Sequence, residues 1–304
     1  MSFLSKPSEI VLEKTYSMIV YGEPGIGKTT TALSASKPCL INLDASIKRV
    51  DSDFWVPTLQ AKKYEEIIGL INSKEINEFD TIVIDPFADL IELMIAHLSE
   101  KFPKIQSGNT LTQRGWGEVK AEFKNFWRII KSKEKSLIIT AHEKSETVAD
   151  TSYFVPDVGR GSSGKELMKF LDIVARMSRI GGKVAMFFEA SDSQFYAKNS
   201  YNFPSHVLIP NPSVAHKNTF IKDVIEKKVI ERKEKAENFS REFEQILSKI
   251  CDKIDSMNEI GYCNALYNEL KDEKRVNWKD HFAEKCKQLG FTFDTAKKVF
   301  VCSK

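Results

Sequence analysis

The sequence predicts an α/β protein, a mostly parallel sheet flanked by helices, with a small helical C-terminal domain. Three observations predict it. Short runs that are apolar on both faces alternate with helical periodicity through the first two-thirds of the 304 residues, as parallel strands joined by crossover helices do. A glycine-rich segment, Gly22–Thr29, joins the first apolar run to the first helical stretch. From about Asn218 strand-like runs give way to interleaved lysine and glutamate.

Ser17-Met18-Ile19-Val20-Tyr21 reads as the first strand and Cys39-Leu40-Ile41-Asn42-Leu43 as the second. Thr81-Ile82-Val83-Ile84 is the third, and Ser136-Leu137-Ile138-Ile139-Thr140 the fourth. Helical stretches are expected at about 29–36, 62–73, 87–101 and 115–132. Residues 183–188 and 194–198 flank Ser191-Asp192-Ser193 and read as a late hairpin. Pro204, Pro210 and Pro212 mark a connector. Beyond it, Phe239, Phe243, Ile246, Leu247 and Ile250 recur at helical spacing, as do Trp278, Phe282, Cys286 and Leu289. The chain therefore divides into an α/β domain, 1–212, and a helical domain, 213–304.

Hydrophobic and aromatic fractions of 42% and 11% are those of a folded globular chain. A net charge of +3 does not by itself argue for a polyanionic partner. The five cysteines, Cys39, Cys251, Cys263, Cys286 and Cys302, form no CxxC pair. That excludes the common zinc and redox motifs and fits reduced thiols in the cytoplasm. The N-terminus does not read as a signal peptide, and no apolar run approaches the roughly 20 residues that span a bilayer. A soluble cytoplasmic protein without membrane contact is expected.

Gly22-Glu23-Pro24-Gly25-Ile26-Gly27-Lys28-Thr29 fits the Walker A, or P-loop, pattern. The chemistry needs these residue types. Glycines let backbone N–H groups turn inward around phosphate oxygens, the lysine reaches the β- and γ-phosphates, and the hydroxyl coordinates Mg²⁺. An apolar strand precedes the motif and a helical pattern opening Thr29-Thr30-Thr31 follows. ATP and Mg²⁺ are the expected ligands, held by these eight residues and Thr30. The bland reading is a Gly-Pro turn with an exposed lysine. Asp85 ends the third strand, where P-loop proteins place the carboxylate that holds Mg²⁺ through its water shell. Thr29 and Asp85 are thus the candidate metal residues. An ordinary helix N-cap before Pro86 is the other reading of Asp85.

Pro86 stands where classical AAA+ enzymes carry a glutamate. The segment 81–90 looks like the Walker B segment of RecA-like ATPases. Thr140-Ala141-His142-Glu143-Lys144 ends the fourth strand, where those proteins place a polar γ-phosphate sensor. Pro156-Asp157, Gly164-Lys165 and Phe170-Leu171-Asp172-Ile173-Val174 follow. Over roughly residues 15–200 this succession resembles the RecA-like nucleotide-binding proteins encoded by many bacteriophages, some of which act as recombinases alongside single-strand-binding proteins. The resemblance implies a RecA-like P-loop core. It implies that Lys28 and Thr29 hold phosphate and Mg²⁺, that Asp85 is the Walker B carboxylate, and that His142 senses the γ-phosphate. Asp44 lies nearest the water-activating glutamate of that family, whose position falls at Ser46. This departure implies slow hydrolysis or service by another carboxylate. The resemblance further implies a Mg-dependent ATPase in DNA recombination or single-strand annealing. Homo-oligomers, single-stranded DNA and a single-strand-binding protein would be its partners, in a bacterial host's cytoplasm. A helicase-like DNA motor and a non-catalytic nucleotide switch that loads replication proteins are the alternatives.

Gly159-Arg160-Gly161-Ser162-Ser163-Gly164-Lys165 is glycine-rich and basic. It reads as a cationic finger on a neighbouring subunit's nucleotide, with Lys165 the better candidate, as a DNA-phosphate contact through Arg160, or as a solvated loop. A satisfied strand-end histidine is the other reading of His142. Trp116 either stacks on bases or, as a Trp beside a helix start more often does, packs into the core. The lysines of 217–235 alternate with glutamates and read as a solvated helix face.

Overall fold

Along the chain the elements are β1 (Ser17–Gly22), α1 (Lys28–Ala32), β2 (Pro38–Asn42), β3 (Thr58–Gln60), α2 (Tyr64–Asn72), β4 (Thr81–Asp85) and α3 (Phe87–Lys101). A short ribbon follows, β5 (Gln106–Ser107) with β6 (Thr110–Leu111), then α4 (Gln113–Ser132), β7 (Ser136–Val148), β8 (Thr151–Pro156) and α5 (Gly164–Met168). Next come β9 (Ile173–Ile180), β10 (Lys183–Phe187), β11 (Lys198–Asn199) and β12 (His206–Leu208). A π-helical segment, Ile221–Glu226, leads into α6 (Lys227–Asp255), α7 (Ile260–Leu270), α8 (Lys279–Gln288) and a hairpin of β13 (Phe291–Asp294) and β14 (Val299–Cys302). This computed structural model describes residues 10, 12–108, 110–148, 151–159, 164–190, 195–211 and 217–302.

The main sheet is ordered β12-β10-β9-β1-β7-β4-β2-β3, with β11 beside β9 and β8 beside β7. Pairing is parallel from β9 through β3. β8, β10, β11 and β12 join by antiparallel pairing. Alternate residues of β1 serve opposite faces: Ile19 and Tyr21 pack with Ile67, Leu90 and Phe123, and Met18 and Val20 with Ile26 and Ala32. Both faces are covered, which is why every residue of β1 is buried. The fold is the expected α/β core, a mostly parallel sheet flanked by helices, with a helical C-terminal region.

Two local readings differ from the structure. The first helix ends at Ala32 rather than near 36, and its sequel is a series of turns. There Ser34 Oγ donates to Thr31 O at 2.5 Å, competing with the helical ladder. The late hairpin is instead β9–β10, turned at Gly181-Gly182 with φ of 54° and 78°. Two consecutive positive-φ glycines match the twist of the strands they join, so Lys183–Phe187 pairs backward in the chain. The expected turn, Ser191-Asp192-Ser193, lies outside the described residues, as does Gln194. Trp116 is partly buried against the core of the main sheet.

The described residues form two compact units, one within Glu13–Arg232 and the other of Ile10, Leu12 and 233–302. The first runs beyond 212 because Phe220, Ile221, Ile225 and Val229 bury themselves in the cluster around α1. The second has its own core, with Ile254, Leu266, Trp278 and Phe282, and includes β13–β14 besides its helices. No helix among the described residues is long and apolar enough to cross a membrane.

Candidate functional site

The end of β1 dictates the first glycine. A Cβ on Gly22 would stand 2.4 Å from the Met177 carbonyl oxygen of β9, a contact no larger residue tolerates. Gly25 and Gly27 take φ of 76° and 95°, left-handed values that a Cβ penalises. Nothing lies within 4 Å of where their Cβ atoms would be, so backbone conformation rather than crowding calls for glycine at both positions. Lys28 bends back over this loop, and its Nζ donates to Gly22 O at 3.0 Å and Glu23 O at 2.8 Å. The residue is 8% exposed. Burial lowers its pKa from the ordinary lysine value, and Asp85 and Glu143 oppose that shift. An ammonium has three donors, so one remains for a phosphate oxygen.

Asp85 is the point where the strand ends converge. It is 5% exposed. Its Oδ2 accepts from Thr29 Oγ1 at 2.6 Å and lies 3.0 Å from Ser46 Oγ, and its Oδ1 accepts from Thr140 Oγ1. α1, the turn after β2, and β7 each contribute one hydroxyl. Ser46 Oγ also lies 2.9 Å from Asn42 Oδ1. Its single proton serves one acceptor at a time. The sequence points to Thr29 and Asp85; it does not single out Thr140. The available signal was a hydroxyl at the end of an otherwise apolar buried strand.

His142 lies two residues beyond Thr140 and is exposed. That spacing puts it on the same face of β7 as Thr140, with its backbone opposite Gly22. Asp44 is engaged locally: its Oδ1 accepts from Ser46 N at 2.8 Å, and its Oδ2 lies 4.0 Å from Arg49 Nη1. Asp89, in the first turn of α3, joins this acidic group. Burial raises its pKa above the ordinary carboxylate value, Asp44 and Asp85 add to the rise, and His142 counters it. Behind the site, Glu143 and Arg176 form a 2.9 Å ion pair with side chains 9% and 13% exposed. Arg160 and residues 161–163 lie outside the described residues, as does the side chain of Lys165 in α5.

The oxygen donors suit Mg²⁺, a hard cation. Among the described residues no three His, Cys, Asp or Glu side chains could cage a metal. Mg²⁺ bound with a nucleotide needs no cage, since one or two protein oxygens and the phosphates suffice. From the loop a cleft of about 760 Å³ extends past Thr30 to Phe54, Met177, Arg179, Asn211 and Asn218. That volume suits a ligand of nucleoside size. A glycine-rich loop, a lysine, a hydroxyl and a carboxylate can together hold a Mg-triphosphate.

The chain is similar to the crystal structure of the flagellar accessory protein FlaH from Methanocaldococcus jannaschii. The identity is 14%, covering 65% of this chain and 85% of that one, with a TM-score of 0.37. No curated protein matches the chain. Residues 14–201 match the family described as AAA domain. This chain, a P-loop nucleotide-binding protein, belongs to the AAA domain family.

Proposed function

We propose that the chain binds Mg-ATP between its P-loop and Asp85 and hydrolyses it slowly, as an oligomer acting in phage-type recombination or annealing of single-stranded DNA. The observation that carries the nucleotide reading is the 2.6 Å bond from Thr29 to Asp85. It sets the hydroxyl and the carboxylate side by side, as joint support of one cation requires. Thr29 and Asp85 would hold Mg²⁺, which when bound supplies neutralisation of phosphate charge. Lys28 would exchange its loop carbonyls for phosphate oxygens, and the amides of the loop would orient the chain of phosphates. His142 would donate to the γ-phosphate, and Asp44 or Asp89 would take the proton of the attacking water. Lys165, or Arg160, would complete the site across a subunit interface. The DNA role, and a single-strand-binding protein as partner, rest on the resemblance to phage RecA-like proteins.

The test is ATPase rate with and without single-stranded DNA at two salt concentrations. Stimulation that weakens with salt is expected; no stimulation at either salt removes the DNA role. A specific observation favours a second reading, a non-catalytic switch. Ser46 stands where the glutamate is expected, and its N–H occupies Asp44. Turnover no faster than that of Lys28→Ala, with ATP still bound, would establish the switch instead.

A further inference from the structure

The cleft beyond the P-loop has a built polar contact on its wall. Asn218 Nδ2 donates to Thr30 O at 2.8 Å. A carbonyl oxygen only accepts, so one of the two amide N–H groups is committed to α1; that bond fixes the plane of the carboxamide and leaves Oδ1 as its acceptor. The residue is held from behind. Ile221 N donates to Ser34 Oγ at 2.9 Å, Lys222 N to Ser34 O at 3.3 Å, and Ser36 N to Glu226 Oε1 at 2.8 Å. Phe220 and Ile221, just after it, are buried. The acceptor is thus preorganised, and little ordering cost remains on binding.

The rest of the lining fits a nucleotide. It contains Arg179 and Lys183 and no carboxylate, which suits an anion. Phe54, Met177 and Pro210 offer apolar surface to a flat heterocycle. Asn211 is the other carboxamide in the lining. It has no comparable tether among the described residues, so it can present either end to a base.

We infer that Asn218 Oδ1 reads the base, selecting a 6-aminopurine over a 6-oxopurine. A fixed acceptor pairs with an exocyclic amino group and meets a like acceptor when the base carries a carbonyl there. The inference rests on triphosphate binding at the P-loop and adds a specificity-determining residue to it.

The test measures binding of ATP, inosine triphosphate and inorganic tripolyphosphate to the wild type and to Asn218→Ala, Asn218→Asp and Asn211→Ala. The wild type should prefer ATP over inosine triphosphate by about tenfold, the worth of one hydrogen bond and its mismatch. Asn218→Ala should bring that ratio close to one. Asn211→Ala should leave it unchanged. Asn218→Asp keeps an acceptor but loses the donor to Thr30 O that holds it in place, so both nucleotides should bind more weakly and the ratio should fall. Equal tripolyphosphate affinity in Asn218→Ala and Asn211→Ala reports an intact loop. A wild-type ratio near one, or a wild-type ratio retained by Asn218→Ala, overturns the inference and leaves the P-loop reading standing. Tripolyphosphate that fails to bind the wild type removes the P-loop reading and the base reading with it.

Discussion

At the phosphate end of the site, parallel strands end side by side and their side chains meet at one buried carboxylate. Thr29, Ser46 and Thr140 all approach Asp85, and Gly22 occupies a gap that admits no Cβ. The nucleoside end is assembled differently. Its wall is the antiparallel pair β9–β10 with Asn211 and Asn218, a mixed polar and apolar surface that a side-chain hydrogen bond from Asn218 ties to α1. The contrast teaches that the two ends should fail in different ways. Changes at the phosphate end should abolish binding of every triphosphate, whereas changes at the other should grade affinity by the base.

Lys28→Ala should have the largest effect on binding, removing ATP binding in calorimetry while the melting temperature stays close to wild type. Unchanged affinity would erase the distinction between the two ends. Glu143→Ala tests the seam between them, because Glu143 lies on β7 and its partner Arg176 on β9. Leaving the guanidinium buried and unpaired should cost about 3–5 kcal/mol in denaturant unfolding. The guanidinium would keep the rings of Phe154 and Phe195, whose centroids lie 4.2 and 5.5 Å from its Cζ, but no described counter-charge. A loss no greater than that of an exposed pair would show the seam to be wet. Gly22→Ala should cost about 1–3 kcal/mol by overpacking β1 against β9, also read by denaturant unfolding; a neutral result would mean the strands part without cost.

The smallest effect concerns Asp89. Its folded pKa is raised above that of the unfolded chain, so the folded state binds the proton more readily. The associated stability is present at low pH and lost as pH rises through the folded value. At neutral pH, without Mg²⁺, Asp89→Asn should therefore melt slightly above wild type. That gap should shrink as pH falls through the carboxylate range. An equal gap at pH 4 and pH 7 would separate Asp89 from the charge of Asp44 and Asp85.

The phosphate end is largely legible in the sequence because its chemistry depends on residue type at fixed spacing. Gly22, Gly25 and Gly27 are required by backbone geometry, and Asp85 by its place at the end of an apolar strand. Thr140 escapes notice because a threonine ending a strand has many ordinary uses. The nucleoside end is hardly legible, since Phe54, Arg179 and Asn218 come from three separate stretches that only the fold assembles. One local signal was available there. Gly181-Gly182 between two strand-like runs marks a tight turn, and it would have paired β9 with β10. The extent of the first compact unit was hidden for a related reason: the lysines and glutamates of 217–235 read as a solvated helix face, and only the fold shows that Phe220, Ile221 and Ile225 are buried in the cluster around α1.

The central claim is that Asp85 and Thr29 form the metal half of a triphosphate site. ATP affinity measured with Mg²⁺ and with a chelator, in the wild type and in Asp85→Asn, tests it most directly. Mg²⁺ should strengthen ATP binding in the wild type and not in the variant, with equal metal-free affinities. The same strengthening in both proteins would contradict the account.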